Sequence, residues 1–172
     1  MIRIYRQEEL GQQLKTSLQH QITEAFGQVP FVQERVWAEP DWVMVKHEQD
    51  AVATFYGVVV REVSMDGQSY RIAGISNLIT PHAFRGKGYA SELLSETRDF
   101  LFKELGCVYG LLLCADALLP FYSRLGWYKL EARLYYDQPS GKQLYDSNVL
   151  LLAPSTQAAG YPQHIDLNGL PW

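Results

Sequence analysis

Arg85-Gly86-Lys87-Gly88-Tyr89-Ala90 is the stretch of this chain whose residue types and spacing point most directly to chemistry. It follows an apolar run, Ile72 to Ile79, that reads as a buried strand, with Thr80-Pro81-His82 breaking the run. After it, Ala90, Leu93, Leu94, Thr97, Leu101 and Leu105 recur at helical spacing, with Gly106 as a stop. A helix start presents unpaired N–H groups and the positive end of a dipole, which suits an anion. Gly86 and Gly88 let the loop turn tightly and bring its amides against a bulky phosphate. The plain alternative is a strand-to-helix turn that needed two glycines. The loop is no Walker A motif, because Gly-Lys-Ser/Thr is missing. It is no dinucleotide fingerprint either, because Ser91 stands where a third glycine belongs.

The elements around the loop set the expected frame. Ile2 to Tyr5 reads as a strand, and Gln7 to Phe26 as a helix with Leu10, Leu14, Leu18 and Ile22 on one face. Val29 to Asp41 is irregular and holds Phe31, Trp37, Glu34, Glu39 and Asp41, with Trp42 just after it. It is either a packed loop or a wall suited to a cationic amine. Trp42 to Lys46 and Ala51 to Met65 read as a hairpin, and Asp66-Gly67 turns the chain into the central strand. Val108 to Cys114 reads as a further buried strand, followed by a short helix to Leu125. Tyr128 to Tyr136 and Val149 to Leu152 then read as two antiparallel strands about the Pro139-Ser140-Gly141 turn. This order predicts an α/β (α+β) fold with a mixed, mostly antiparallel central sheet and helices on both faces.

Two motifs carry a family resemblance across roughly Asp50 to Leu152. Arg85, Gly88 and Ala90 fit Arg/Gln-x-x-Gly-x-Gly/Ala, and Phe121-Tyr122-x-x-Leu125-Gly126-Trp127 follows one strand later. Together they resemble the GNAT superfamily of N-acetyltransferases. The resemblance implies acetyl-CoA as co-substrate, held along Leu78, Ile79, Thr80, Arg85, Gly86, Lys87, Gly88, Tyr89 and Ala90. It also implies direct attack by the primary amine of a small molecule in a ternary complex. Backbone N–H groups near Leu78 and Ile79 are implied to stabilise the thioester oxygen. A narrower, looser resemblance is to the aminoglycoside 2'-N-acetyltransferases, whose tails end in an Asp-bearing stretch and a Trp. Asp166 and Trp172 are the matching residues. Those enzymes carry a Glu in the central strand where this chain has Ser76-Asn77.

Acyl transfer needs an acid for the departing thiolate and a base for the amine. Tyr122 is the expected acid, since a phenol near pKa ~10 is a plausible donor to a thiolate whose conjugate acid is ~8.5. Its alternative is a plain core aromatic, a task Phe121 suits better. The base stays open among His82, Asp116, Glu34, the carboxylate of Trp172 and a water chain, and a helix N-cap explains Asp116 equally well. Glu34, Asp116 and Trp172 are the acceptor-side candidates. An acyl-CoA-binding sensor without turnover is the competing function class.

The chain has 172 residues, 47% of them hydrophobic, enough for one core, so residues 1–152 are read as one domain and 153–172 as a tail over the acceptor cleft. A terminal indole with Ile165, Leu167 and Leu170 nearby should seek burial. Net charge is −4 without a basic run, which argues against nucleic acid. No run approaches the ~20 apolar residues of a membrane span. Cys107 and Cys114 flank one strand, ~23 Å apart when extended, so both should be reduced, and a cytoplasmic place follows. The four His suggest no metal, and the oligomeric state, homodimer included, is open.

Overall fold

The computed structural model describes residues 1–172. Ten strands form one sheet: β1 (Ile2–Arg6), β2 (Trp42–Glu48), β3 (Ala51–Met65), β4 (Gln68–Ile79), β5 (Tyr109–Cys114), β6 (Tyr128–Leu130), β7 (Arg133–Gln138), β8 (Gly141–Leu144), β9 (Asn148–Leu152) and β10 (His164–Asp166). Their order is β6-β9-β5-β4-β3-β10-β7-β8, with β1 and β2 added along the first half of β3. Only β4 with β5 and β7 with β10 run parallel. The fold is therefore mixed and mostly antiparallel.

Alternation along the strands decides which helix covers which face. Tyr56, Val58, Ala73, Ile75, Leu112 and Leu150 meet α3 (Tyr89–Glu96) and α4 (Leu119–Arg124) on one side. Val43, Val45, Phe55 and Ile79 meet α1 (Gln12–Phe26) on the other, through Leu18. That second face continues into Val59, Val63, Ile72, Leu111, Leu134, Ile165 and Trp172. A short helix, α2 (Pro30–Glu34), starts on Pro30 and leads into β2.

Several boundaries differ from the sequence reading. The first helix does not run unbroken from Gln7: a 3-10 turn covers Gln7–Glu9, and extended Gly11 separates it from α1. The helix expected to reach Leu105 stops being regular at Thr97. Thr97 Oγ1 donates to the Leu93 carbonyl (2.6 Å) while sharing a hydrogen bond with the buried Tyr56 hydroxyl, and a π-helical turn follows at Phe100–Glu104. The run from Tyr128 to Tyr136 divides into β6 and β7, which pair with different partners. An unforeseen β8 continues the turn at Gly141.

Residues 164–172 are part of the sheet and core. β10 pairs with Met65 and Ser64 on one side and with Arg133 to Tyr135 on the other. Arg61 Nη1 donates to the carbonyls of Leu167 (3.2 Å) and Leu170 (2.8 Å), and its guanidinium lies 5.3 Å from the Trp172 ring. Ala38 N–H donates to the Pro171 carbonyl, which brings the α2–β2 segment alongside.

Candidate active site

The parallel ladder between β4 and β5 ends at Ile75–Leu112, although β4 continues to Ile79 and β5 to Cys114. Beyond that pair β4 and β5 no longer bond each other, which leaves an opening between the two strand ends. A bulge helps to shape it. Phe55 pairs with Ile79 and Gly57 with Ser76, so Asn77 and Leu78 together stand opposite Tyr56, with Asn77 at φ 50°. Such a bulge leaves one residue's backbone outside the ladder and re-aims it. The oxyanion donors expected near Leu78 and Ile79 thus lie at the bulge, beside the opening. Thr80 Oγ1 donates to Thr54 Oγ1, which in turn donates to the Ile79 carbonyl, and this fixes the strand end.

The glycine-bearing loop follows directly. Arg85 Nε donates to the Thr80 carbonyl (3.0 Å), folding the loop back on the strand end. Gly86 and Gly88 have φ of 74° and 78°, and Gly88 caps α3. These conformations are cheap for glycine and strained for a β-branched residue. A Cβ at either position would meet no protein atom within 4 Å, so both glycines border open space at the start of α3. Arg85, Gly86, Lys87 and Gly88 are exposed, and Tyr89 and Ala90 are half-buried. This is the loop where the sequence reading expects a diphosphate. Below it, the buried Lys46 on β2 bonds Glu92 of α3 and lies 5.1 Å from the Tyr89 ring. The hydrogen bond to Glu92 holds the Lys46 ammonium above its usual range, against the effect of burial. Lys46 carried no sequence signal beyond a lysine ending an apolar strand.

Gly88→Val is expected to weaken acetyl-CoA binding ten-fold or more, about 1.4 kcal/mol. The side chain would project into the cradle, and the backbone would leave its left-handed conformation. Calorimetry on the folded variant checks this, and unchanged affinity would remove the loop from the site.

Tyr122 comes from α4 on the α3 face, wedged between Phe121 (ring centroids 5.0 Å) and Trp127 (6.1 Å). It is buried, and its hydroxyl makes no hydrogen bond to protein. Burial, and secondarily the nearby Cys114 thiol, push its pKa far above that of a free phenol. Tyr122 therefore keeps its proton throughout the neutral range. Cys114 ends β5, so the phenol stands beside the opening.

The acceptor-side candidates are not brought into one cluster. Asp116 heads a 3-10 turn and accepts from Asn148 Nδ2 (2.7 Å), while Asn148 also bonds the Cys114 carbonyl. Its carboxylate braces the end of β5 and makes no cap bond to the helix that follows. Glu34 is exposed on α2. Its neighbour Arg35, which sequence reasoning passed over, lies over Phe31, Tyr136 and Tyr145 at 5.4 to 5.7 Å and 3.9 Å from Asp146. Arg35 ties α2 to the β7–β8 hairpin and the loop before β9. His82 is exposed in a 3-10 turn.

Trp172 lies on the α1 face, opposite Tyr122. Its indole carbons Cε2, Cδ2 and Cζ2 fill the space where a Cβ on Gly74 would sit, all within 2.6 Å of that point. Ser76, the first β4 residue past the last parallel pair, faces the same way as Gly74.

Comparison with known proteins agrees with this architecture. The family description "Acetyltransferase (GNAT) domain" matches residues 7–130. No curated protein matches the chain. Among solved structures, the Escherichia coli GNAT family N-acetyltransferase YhbS in complex with CoA is 17% identical, with TM-score 0.63, covering 97% of this chain and 88% of that one. A Brucella melitensis GNAT family acetyltransferase in complex with acetyl-CoA is 15% identical, with TM-score 0.58 and coverage of 94% and 93%. The Escherichia coli ribosomal-protein-S18-alanine N-acetyltransferase is 19% identical, with TM-score 0.58 and coverage of 93% and 97%. With the family match spanning most of its length, the chain belongs to the GNAT acetyltransferase family.

Proposed function

We propose that the protein is an N-acetyltransferase that moves the acetyl group of acetyl-CoA to the primary amine of a small molecule, by direct attack in a ternary complex. The observation that carries this reading is the opening at Ile75–Leu112, with the phosphate cradle at one end and a proton-bearing phenol beside it. The diphosphate would rest on the amides of Gly86 to Ala90, with Leu78, Ile79 and Thr80 along the pantetheine. The thioester carbonyl would accept hydrogen bonds from the bulged backbone near Leu78 and Ile79 as charge grows on its oxygen. Nitrogen attacks the carbonyl carbon, the C–S bond breaks, the amine nitrogen loses a proton to solvent, and Tyr122 gives its proton to sulfur and regains one from solvent. Neither cysteine has a part, since both are buried with thiol pKa values raised by burial, and attack by the amine needs no covalent intermediate.

Because Glu34, Asp116 and Trp172 do not converge, acceptor recognition in this reading rests on the surplus negative charge, which favours a cationic amine. No helix is long and apolar enough to cross a membrane. The free thiols support a reducing compartment, the cytoplasm. One observation favours the sensor reading: the strand position flanking the opening carries Ser76 and no carboxylate. CoA release measured across aminoglycosides, polyamines, amino acids and peptide N-termini separates the two. Turnover of any one supports the enzyme. Acetyl-CoA binding without turnover of any of them supports the sensor.

A further inference from the structure

No N–H group from Gly86 through Ser91 bonds a backbone carbonyl; Glu92 is the first to do so, to Gly88 at 3.0 Å. No side chain caps this end of α3 either. The free donors add to the positive end of the helix dipole, which suits an anion. Glu92 works against that. It is the one acid of the first turn, about 6 Å beyond Gly88 along the axis. A carboxylate there stabilises the helix by meeting the dipole, and for the same reason it opposes a diphosphate on the same donors. Lys46 sits where it can cancel this charge. It faces α3 from β2, on the side of Met44, and its Nζ bonds Glu92 Oε1. The residue is 6% exposed, and its ammonium lies 5.1 Å from the Tyr89 ring. Burying a lysine head is costly without a partner, so its position calls for a reason.

We propose that Lys46 is a positioning residue for the co-substrate: it holds the Glu92 carboxylate from the β2 side and cancels its charge, which leaves the free N–H groups of Gly86 to Ser91 positive toward the diphosphate. The inference rests on the reading of this loop as the diphosphate site. Lys46 acts through Glu92 and touches no ligand itself. The hydrogen bond to Glu92 keeps the ammonium charged, and Glu96 and Glu48 add negative potential around it. A plain strut joining β2 to α3 would use the same bond. The two roles differ in sign once one partner is made neutral. With Lys46→Met, one negative charge is left in the first turn of the anion-holding helix. With Glu92→Gln, the amide oxygen still accepts from Nζ, and one positive charge is left.

Acetyl-CoA titrated by calorimetry into the wild type, the two single variants and the double variant tests this at low ionic strength. Lys46→Met is expected to bind about ten-fold more weakly and Glu92→Gln about three-fold more tightly. The double variant, neutral again, should return to about the wild-type affinity. The spread should shrink near 1 M salt, where the screening length falls to about 3 Å. A strut predicts another order: both single variants and the double bind more weakly, and salt does not close the gap. That result, or equal affinity in all four proteins, overturns the proposal. Methionine keeps the bulk of the buried lysine stem. Should Lys46→Met still fail to fold, Glu92→Gln decides alone, because its side chain is 41% exposed. Tighter binding supports the proposal, and unchanged or weaker binding overturns it. A wild-type protein that binds no acetyl-CoA overturns the diphosphate reading and this inference with it. Binding in the wild type with the wrong order among the variants overturns the role of Lys46 alone.

Discussion

Tyr122→Phe is expected to lower kcat by roughly a hundred-fold or more, about 2.7 kcal/mol of barrier, while acetyl-CoA binds nearly as before. The substitution removes one oxygen from a residue whose ring is held between Phe121 and Trp127, so the packing stays. The hydroxyl bonds no protein atom, and its loss leaves nothing else unpaired. The pH dependence follows from the sign of the shift. Burial raises the phenol's pKa, so the acid form persists through the ordinary limit near ~10 for tyrosine. The wild-type rate should therefore show no fall assignable to Tyr122 between neutral pH and that limit. Single-turnover kinetics on the identified amine checks both points, and wild-type turnover in the variant would show that another group or solvent supplies the proton.

Gly74→Ala carries the largest expected effect on stability. The new methyl group would overlap three indole carbons, and an indole pinned under Arg61 and against the sheet has little room to retreat. Either the ring leaves, at a cost comparable to deleting a buried Trp, or the strand deforms. Both imply a loss of about 3 kcal/mol or more. Gly11→Ala is the control, since a Cβ there meets nothing within 4 Å and the backbone is ordinary. Urea unfolding of the two variants should separate them clearly. Equal stability would mean that the indole does not sit on Gly74. Cutting the chain after Leu167 removes the same ring along with both Pro171 and Leu170, so it too should lower stability as well as amine binding.

The strand, loop and helix around the two glycines and the short helix carrying Tyr122 were legible because each depends on local order: apolar runs broken by glycine, or an aromatic pair followed by Gly126. The sheet was legible because β2 to β5 carry near-continuous apolar runs, as strands buried on both faces do. What the residues alone did not convey arises from contacts between distant segments. Thr97 interrupts α3 because it meets Tyr56 on another element. Arg61 on β3 reads as an ordinary strand residue until Leu167, Leu170 and Trp172 arrive around it. Ser76 was noted only for not being a glutamate. That its hydroxyl is enclosed and unpaired depends on Pro40, Gly57 and the strand register together.

β10 has only three residues, yet it is the sheet's sole link between β3 and the β7–β8 hairpin. Ile165 pairs with Met65, about a hundred positions earlier, and with Leu134 on the other side. Contacts of such separation form late, because the entropy of closing the intervening chain opposes them until both partners are in place. During synthesis the hairpin would emerge with its inner edge open and wait for residues that follow it. An unpaired edge beside the apolar Leu134 and Tyr136 is the kind of surface that pairs with the wrong chain. The wait for β10 is thus the stage at which a crowded cell most threatens the yield of folded protein.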